Sequence, residues 1–327
     1  MKPEVVAYRG EIPESVHNIH YVVVDRLGRE IASGGNGDLV TYWRSAAKPI
    51  QLLPLVEGGG VEKFGLENRH LAVMASSHNG QKEHVDAVGE ILERIGMTED
   101  ALACGAHAPW DGDAASELVK RGEKPRAIHN NCSGKHANML ALCRLNGWDA
   151  EGYYEREHPV QKRIQEEVRC FTGLSQEDLI LGTDGCGVPV FGLSLRRMAW
   201  AYALLADPRD LPRKKGEGAR QITKAMASNP MLVAGKGRLD TELMEAGRGK
   251  IVAKLGSEAV YCMALLDRGW GIALKVEDGS LRALGPAVMA LLAKFDILPE
   301  ALPRWRRVML RNHRGEVIGH LAARGID

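Results

Sequence analysis

Four short blocks of the sequence gather the side chains that could do chemistry. In Arg44-Ser45-Ala46-Ala47-Lys48-Pro49 a serine and a lysine stand three positions apart. On a helix that spacing puts both on one face, so Ser45 Oγ and the Lys48 amine can approach each other. A serine hydroxyl needs a base before it attacks a carbonyl. A lysine serves as that base when burial or a nearby cation keeps its amine neutral. A helix start at Ser45 would also favour a developing oxyanion. The same residues equally fit an N-cap serine beside a solvated lysine, because Ser-x-x-Lys recurs by chance in long chains. Pro49 allows the helix to begin after Ser45, since proline suits the first helical turn.

The second block, Ser76-Ser77-His78-Asn79-Gly80-Gln81-Lys82-Glu83-His84, ends an apolar run with hydroxyls, an imidazole and exposed amides. A plain turn uses the same residue types, and His84 reads as part of a solvated helix face. In the third, His129-Asn130-Asn131-Cys132-Ser133-Gly134-Lys135-His136, Cys132 and Lys135 repeat the three-residue spacing at another expected helix start. The thiol there would be acidified and could act as nucleophile or metal ligand. The fourth, Thr183-Asp184-Gly185-Cys186-Gly187-Val188-Pro189, puts a second cysteine in a tight turn beside a carboxylate. Two thiolates and a nitrogen would suit Zn²⁺; two buried structural cysteines are the alternative. His107 and His158 sit near prolines and receive no role. Arg196-Arg197 and Arg213-Lys214-Lys215 read as solvated faces.

Composition narrows the class of protein. The chain has 327 residues, 45% hydrophobic and 26% charged, which can bury a large core in one domain or two closely packed ones. Its 43 basic and 42 acidic side chains nearly cancel, which argues against a general nucleic-acid binder. Six cysteines without a Cys-x-x-Cys pair, in a chain this long, read as buried thiols and not as a disulfide framework. The polar N-terminus does not read as a signal peptide, and no apolar run approaches the roughly 20 residues of a membrane span. A cytoplasmic location is the expectation.

The elements that must position these blocks follow from turn signals and periodicity. The first 40 residues read as β-rich, with Ile19–Val24 as an apolar strand, and Ser45–Val56 reads as a helix ended by Gly58-Gly59-Gly60. His70–Ser76 reads as a buried strand or an extended approach to a helix beginning near Gln81. Further helices are expected over 113–121, 134–145, 158–171, 192–205, 216–227 and 239–246. From Lys250 onward the pattern turns to strands: Lys250–Lys254, Ala259–Leu266 and Gly271–Val276, with 277–280 as a hairpin-type turn. A helix over Arg282–Phe295 and a strand pair, Arg307–Asn312 and Glu316–Leu321, complete the chain. This predicts an α/β (α+β) fold in which both chain ends build one mostly antiparallel sheet flanked by helices. Residues 1–60 and 248–327 form the sheet part, and residues 61–247 form a mainly helical lobe within the same compact unit.

Taken together and in this order, the four blocks resemble the class 3 L-asparaginases, the rhizobial-type or asparaginase-II-like family. The likeness continues through Val-Ala-Gly-Lys-Gly-Arg at 233–238 and Lys-Leu-Gly-Ser-Glu-Ala-Val at 254–260, and spans residues 28–285. It implies a fold related to serine β-lactamases, penicillin-binding proteins and glutaminases. It implies hydrolysis of L-asparagine to L-aspartate and ammonia by two Ser–Lys tandems. Ser45 with Lys48 matches the first; Ser77 with a distant lysine matches the second, and Lys254 fits better than Lys250. The family's zinc ligands fall on Cys132, Lys135 and Cys186, with the metal aiding substrate binding, and a homodimer is implied. Arg44, His136 and Asp184 adjoin these residues and could hold the substrate's carboxylate and ammonium, or serve structure alone. A glutaminase or other serine amidase of the same fold shares this logic, as would a non-catalytic zinc- or ligand-binding relative.

Overall fold

Apolar runs at the two ends of the chain meet in one sheet. The computed structural model describes residues 2–297 and 302–326. Its strands are β1 (Glu4–Arg9), β2 (Ile12–Asp25), β3 (Glu30–Gly34), β4 (Val40–Tyr42), β5 (Ile180–Thr183), β6 (Pro189–Ser194), β7 (Ile251–Gly256), β8 (Val260–Leu265), β9 (Trp270–Val276), β10 (Val308–Arg311) and β11 (Val317–Arg324). Eight of them form an antiparallel sheet in the order β10-β11-β1-β2-β9-β8-β7, with β3 also paired to β2. The closure is made where β2 meets β9, from Ile19 opposite Val276 to Asp25 opposite Trp270. All six residues of β8 are buried, so its unbroken apolar sequence is covered on both faces. The helix Leu195–Ala206 lies across β2, β8 and β9, and the helix Leu284–Lys294 packs on β1 and β11. Among the described residues no helix is long and apolar enough to cross a membrane.

The intervening chain is mainly helical, and most expected helices form: Ser133–Asn146, Pro159–Thr172, Arg213–Ser228 and Leu239–Gly247. Four local readings change. Residues 192–194, expected to open a helix, instead end β6, which joins β4 and β5 in a separate sheet of order β4-β6-β5. The helix then starts at Leu195, capped by Ser194, whose side chain accepts the Arg197 N–H. The run from His70, expected as extended chain, lies in a short helix, Asn68–Met74, opened by the Glu67 N–H bonding His70 Nδ1 at 2.9 Å. The turn at 277–280 is not a hairpin: Asp278 Oδ1 accepts the Ser280 N–H at 3.0 Å and leads the chain into a 3₁₀ turn, Leu281–Ala283. Lys215 is not solvated, because its amine bonds both oxygens of the fully buried Glu167 at 2.6 Å and also reaches Glu57. A carboxylate taken out of water needs such a cation.

Candidate active site

Ser45 sits on a strained turn. Arg44 before it has φ of +52°, a left-handed conformation that costs a non-glycine residue on the order of 1–2 kcal/mol. Residues Arg44–Ala47 form a 3₁₀ turn, and the α-helix Lys48–Glu57 begins after it, the later start that Pro49 allows. Ser45 is 6% exposed, and its Oγ has no hydrogen-bond partner among the described residues. β7 presses on this turn. A Cβ on Gly256 would stand 2.8 Å from Trp43 O and 3.4 Å from Ala46 N, so only glycine lets the strand carrying Lys254 come this close.

Lys48 pairs with the other serine. Its Nζ donates to Ser77 Oγ at 2.9 Å and to Ser76 O at 2.5 Å, and lies 3.3 Å from Cys132 Sγ. The hydrogen bond expected between Lys48 and Ser45 is therefore replaced by one to Ser77. Burial lowers the Lys48 pKa, with the Cys132 thiol opposing the fall. Two packing features set this arrangement. Residues 77–81 run against 233–236, with Ser77 N bonded to Val233 O (3.0 Å), Asn79 N to Ala234 O (2.9 Å) and Lys236 N to Gln81 Oε1 (2.9 Å). The helix Ser133–Asn146 crosses Asn68–Met74 so closely that a Cβ on Gly134 would stand 2.0 Å from Val73 O. Behind Ser77, His78 stacks on His84 with ring centroids 4.9 Å apart. His84, expected to be solvated, is buried and bonds Met231 O at 2.8 Å; burial lowers both imidazole pKa values.

Lys254 comes from β7 and is 0% exposed. Its Nζ donates to Leu255 O at 2.7 Å. Burial, only partly opposed by Asp240, brings its pKa to about 7, and the cations Lys48 and Arg238 add to the fall. Neither Lys48 nor Lys254 has a carboxylate in ion-pair range among the described residues.

The cysteines converge as well. A hydrogen bond between the two thiols holds Cys132 up at about 12 and Cys186 down at about 5, so the pair retains one proton. Lys135 Nζ lies 2.9 Å from Cys186 Sγ and 3.6 Å from Asp184 Oδ2. Burial would lower the Lys135 pKa, but Cys186, Cys132 and Asp184 outweigh it and raise it above the ordinary value. Two soft sulfurs and one amine at a single point fit Zn²⁺ once the remaining protons leave. Among the described residues no group of three histidine, cysteine or acidic side chains could hold a metal, so this set reaches three donors only through the Lys135 amine. Arg44 Nε bonds Asp184 Oδ1 at 2.9 Å, so these two hold each other. His136 is fully buried, bonded to Tyr153 Oη at 2.6 Å and driven to a pKa of about 3 by burial and then by Lys135.

Ser45 and Ser77 open into one cavity of about 620 Å³, lined also by Asn131, Asp240, Arg238 and Trp110. The Arg238 guanidinium lies over the Trp110 ring, 5.3 Å from its centroid. Asn131, Asp240, Arg238 and Trp110 were not anticipated as site residues: Asn131 and Asp240 are ordinary turn or helix-start residues by type, and no spacing singles out Arg238 or Trp110. A second depression of about 690 Å³, lined by Lys294, Arg307 and His320, contains none of the serine, lysine or cysteine groups.

Comparisons with known proteins bear on this geometry. No curated protein sequence matches the chain. Among solved structures, a β-lactamase from Mycobacterium bovis is similar at 12% identity and a TM-score of 0.42, covering 85% of this chain and 94% of its own. An octameric penicillin-binding protein homologue from Pyrococcus abyssi is similar at 14% identity and a TM-score of 0.45, with 88% and 76% covered. The sequence profile of the family described as L-asparaginase II matches residues 5–323, nearly the whole chain and every block that converges on the cavity. The chain belongs to the L-asparaginase II family.

Proposed function

We propose that the protein hydrolyses the side-chain amide of L-asparagine to L-aspartate and ammonia, with Ser45 as nucleophile. The observation that carries this reading is that two serines open into one cavity while two buried lysines serve them, Lys48 donating to Ser77 and Lys254 lying on the strand that packs against the Ser45 turn, neither with a carboxylate in ion-pair range among the described residues. Burial lowers the pKa of both amines, which readies them to take and return protons. Ser45 Oγ attacks the amide carbon and its proton passes to the neutral amine of Lys254. The oxyanion forms near the N-terminal end of the helix Lys48–Glu57, whose dipole favours it. The proton then moves to the amide nitrogen, ammonia leaves, and Ser45 carries a β-aspartyl ester. Water, deprotonated through Ser77 and Lys48, releases aspartate. Arg44 has its Nε on Asp184 and no other hydrogen bond among the described residues, which leaves its terminal nitrogens for the substrate's α-carboxylate.

Cys132, Lys135 and Cys186 would hold zinc, which supplies a fixed positive charge behind the site when bound. A serine nucleophile makes a metal hydroxide redundant, so stripping zinc with a chelator is expected to raise KM more than it lowers kcat. Steady-state kinetics before and after chelation check this; complete loss of kcat, restored by zinc alone, would count against it. Gly256→Ala is expected to lower kcat about 10²-fold, because the methyl group pushes the Lys254 strand off the Ser45 turn. An unchanged kcat in a folded variant would remove that contact from the mechanism.

Ammonia release from L-asparagine and L-glutamine by the purified chain tests the whole reading. Release from neither amide would refute it. The cavity of about 620 Å³ leaves room for a second reading in which longer amides such as L-glutamine are also turned over. The homodimer that the resemblance implies is proposed as well; light scattering at twice the chain mass would support it, and at the mass of one chain would refute it.

A further inference from the structure

Asp240 is a buried carboxylate that the reaction above leaves unused. It is 1% exposed, in the first turn of the helix Leu239–Gly247. Its Oδ1 accepts the Leu255 N–H at 2.6 Å, while Oδ2 is buried without a hydrogen-bond partner among the described residues. A carboxylate oxygen held from water without a donor is costly, so its presence calls for a donor that reaches it at some stage. Lys254 occupies the matching place. Its Nζ bonds the carbonyl of the same residue, Leu255. In an antiparallel strand the N–H and C=O of one residue leave by the same side, and β7 is at the sheet's end. Asp240 and Lys254 therefore cap one residue of an edge strand from a common flank. The Leu255 carbonyl suffices for a neutral amine; an ammonium carries three donors and needs further acceptors.

We propose that Asp240 is the positioning residue of Lys254, aiming its amine and holding the charge that the amine gains when it takes the nucleophile's proton. The inference rests on Lys254 acting as base in the function proposed above. The other groups facing Lys254 are Lys48, Arg238 and Cys132, with Cys262 opposite it on β8. The two cations repel an ammonium there. Near Asp240 stand Tyr202 and Tyr261, whose hydroxyls burial keeps protonated. Asp240 is thus the carboxylate placed to receive the charge.

Asp240→Asn keeps an oxygen for the Leu255 N–H and removes only the charge. In the full chain labelled with ¹⁵N-lysine, the Lys254 signal is assigned by its loss in Lys254→Met and followed through a pH titration. In Asp240→Asn its midpoint is expected to fall by about one pH unit. The acid limb of the pH–rate profile should move by the same amount, and the plateau kcat should drop about tenfold with little change in KM. A purely structural Asp240 would leave the midpoint and the limb where they are, and that result overturns the proposal. If Asp240→Asn does not fold, the ¹³C-carboxyl shift of Asp240 in the unaltered chain should step at the Lys254 midpoint; a flat shift overturns it. Should the unaltered chain release no ammonia, the functional reading fails, while the titrations still decide whether Asp240 governs Lys254.

Discussion

Ser45→Ala is expected to lower kcat for L-asparagine by about 10⁴-fold or more while leaving the protein folded. The asymmetry between activity and stability follows from the serine's surroundings. Ser45 Oγ has no hydrogen-bond partner among the described residues, so deleting it strands no buried donor or acceptor. The strained Arg44 backbone that presents it is untouched. Ser77 differs, because its Oγ accepts from the buried Lys48 amine at 2.9 Å. Ser77→Ala should therefore lower both turnover and melting temperature. Ammonia release and thermal melts of the two variants separate the roles. Near-normal turnover in Ser45→Ala, with activity lost in a stable Ser77→Ala, would transfer the nucleophile to Ser77.

Much of this arrangement is legible in the chain because long periodic elements announce themselves. The helices Ser133–Asn146 and Pro159–Thr172 fall within two residues of the expected bounds, and the strands of both chain ends close one antiparallel sheet. Short elements are harder to read. Asn68–Met74 spans seven residues, too few to show a helical period, and its run from His70 is as apolar as a buried strand. The sheet β4-β6-β5 rests on strands of three, four and six residues, and apolar β6 flows directly into the next helix.

The site divides along the same physical line. Local spacing marks Ser45, Lys48, Cys132 and Lys135, since each pair lies within one helical turn. Which serine Lys48 bonds depends on tertiary contact: Gly134 lets one helix touch another, and the segment after Ser76 then runs beside Val233 and Ala234. No local pattern contains that choice. Asp240 is hidden for a related reason. An aspartate in the first turn of a helix reads as a partner of the helix dipole, and only the fold turns it toward the edge of β7.

Lys254→Met is expected to lower kcat about 10³-fold and to erase the acid limb of the pH–rate profile. With the folded pKa at about 7, the neutral amine disappears as pH falls through that value, so wild-type turnover should rise with pH and level off above it. The same shift makes a statement about stability, with the opposite benefit. The unfolded lysine has a pKa of about 10.4. Between about 7 and 10.4 the unfolded chain binds more protons at this residue than the folded chain, so its contribution to stability rises with pH through that window. At neutral pH the buried amine therefore costs the fold on the order of a few kcal/mol. Methionine has similar length and no charge to desolvate; the loss it does incur is the hydrogen bond to Leu255 O. Lys254→Met should thus be inactive yet at least as stable as wild type at pH 7, with a flatter dependence of stability on pH up to about 10. Denaturant melts at pH 7 and pH 9.5, paired with ammonia release, check both halves. A variant that loses stability at pH 7 would make Lys254 chiefly an architectural donor to the edge of β7, and the base would then have to be sought at Lys48.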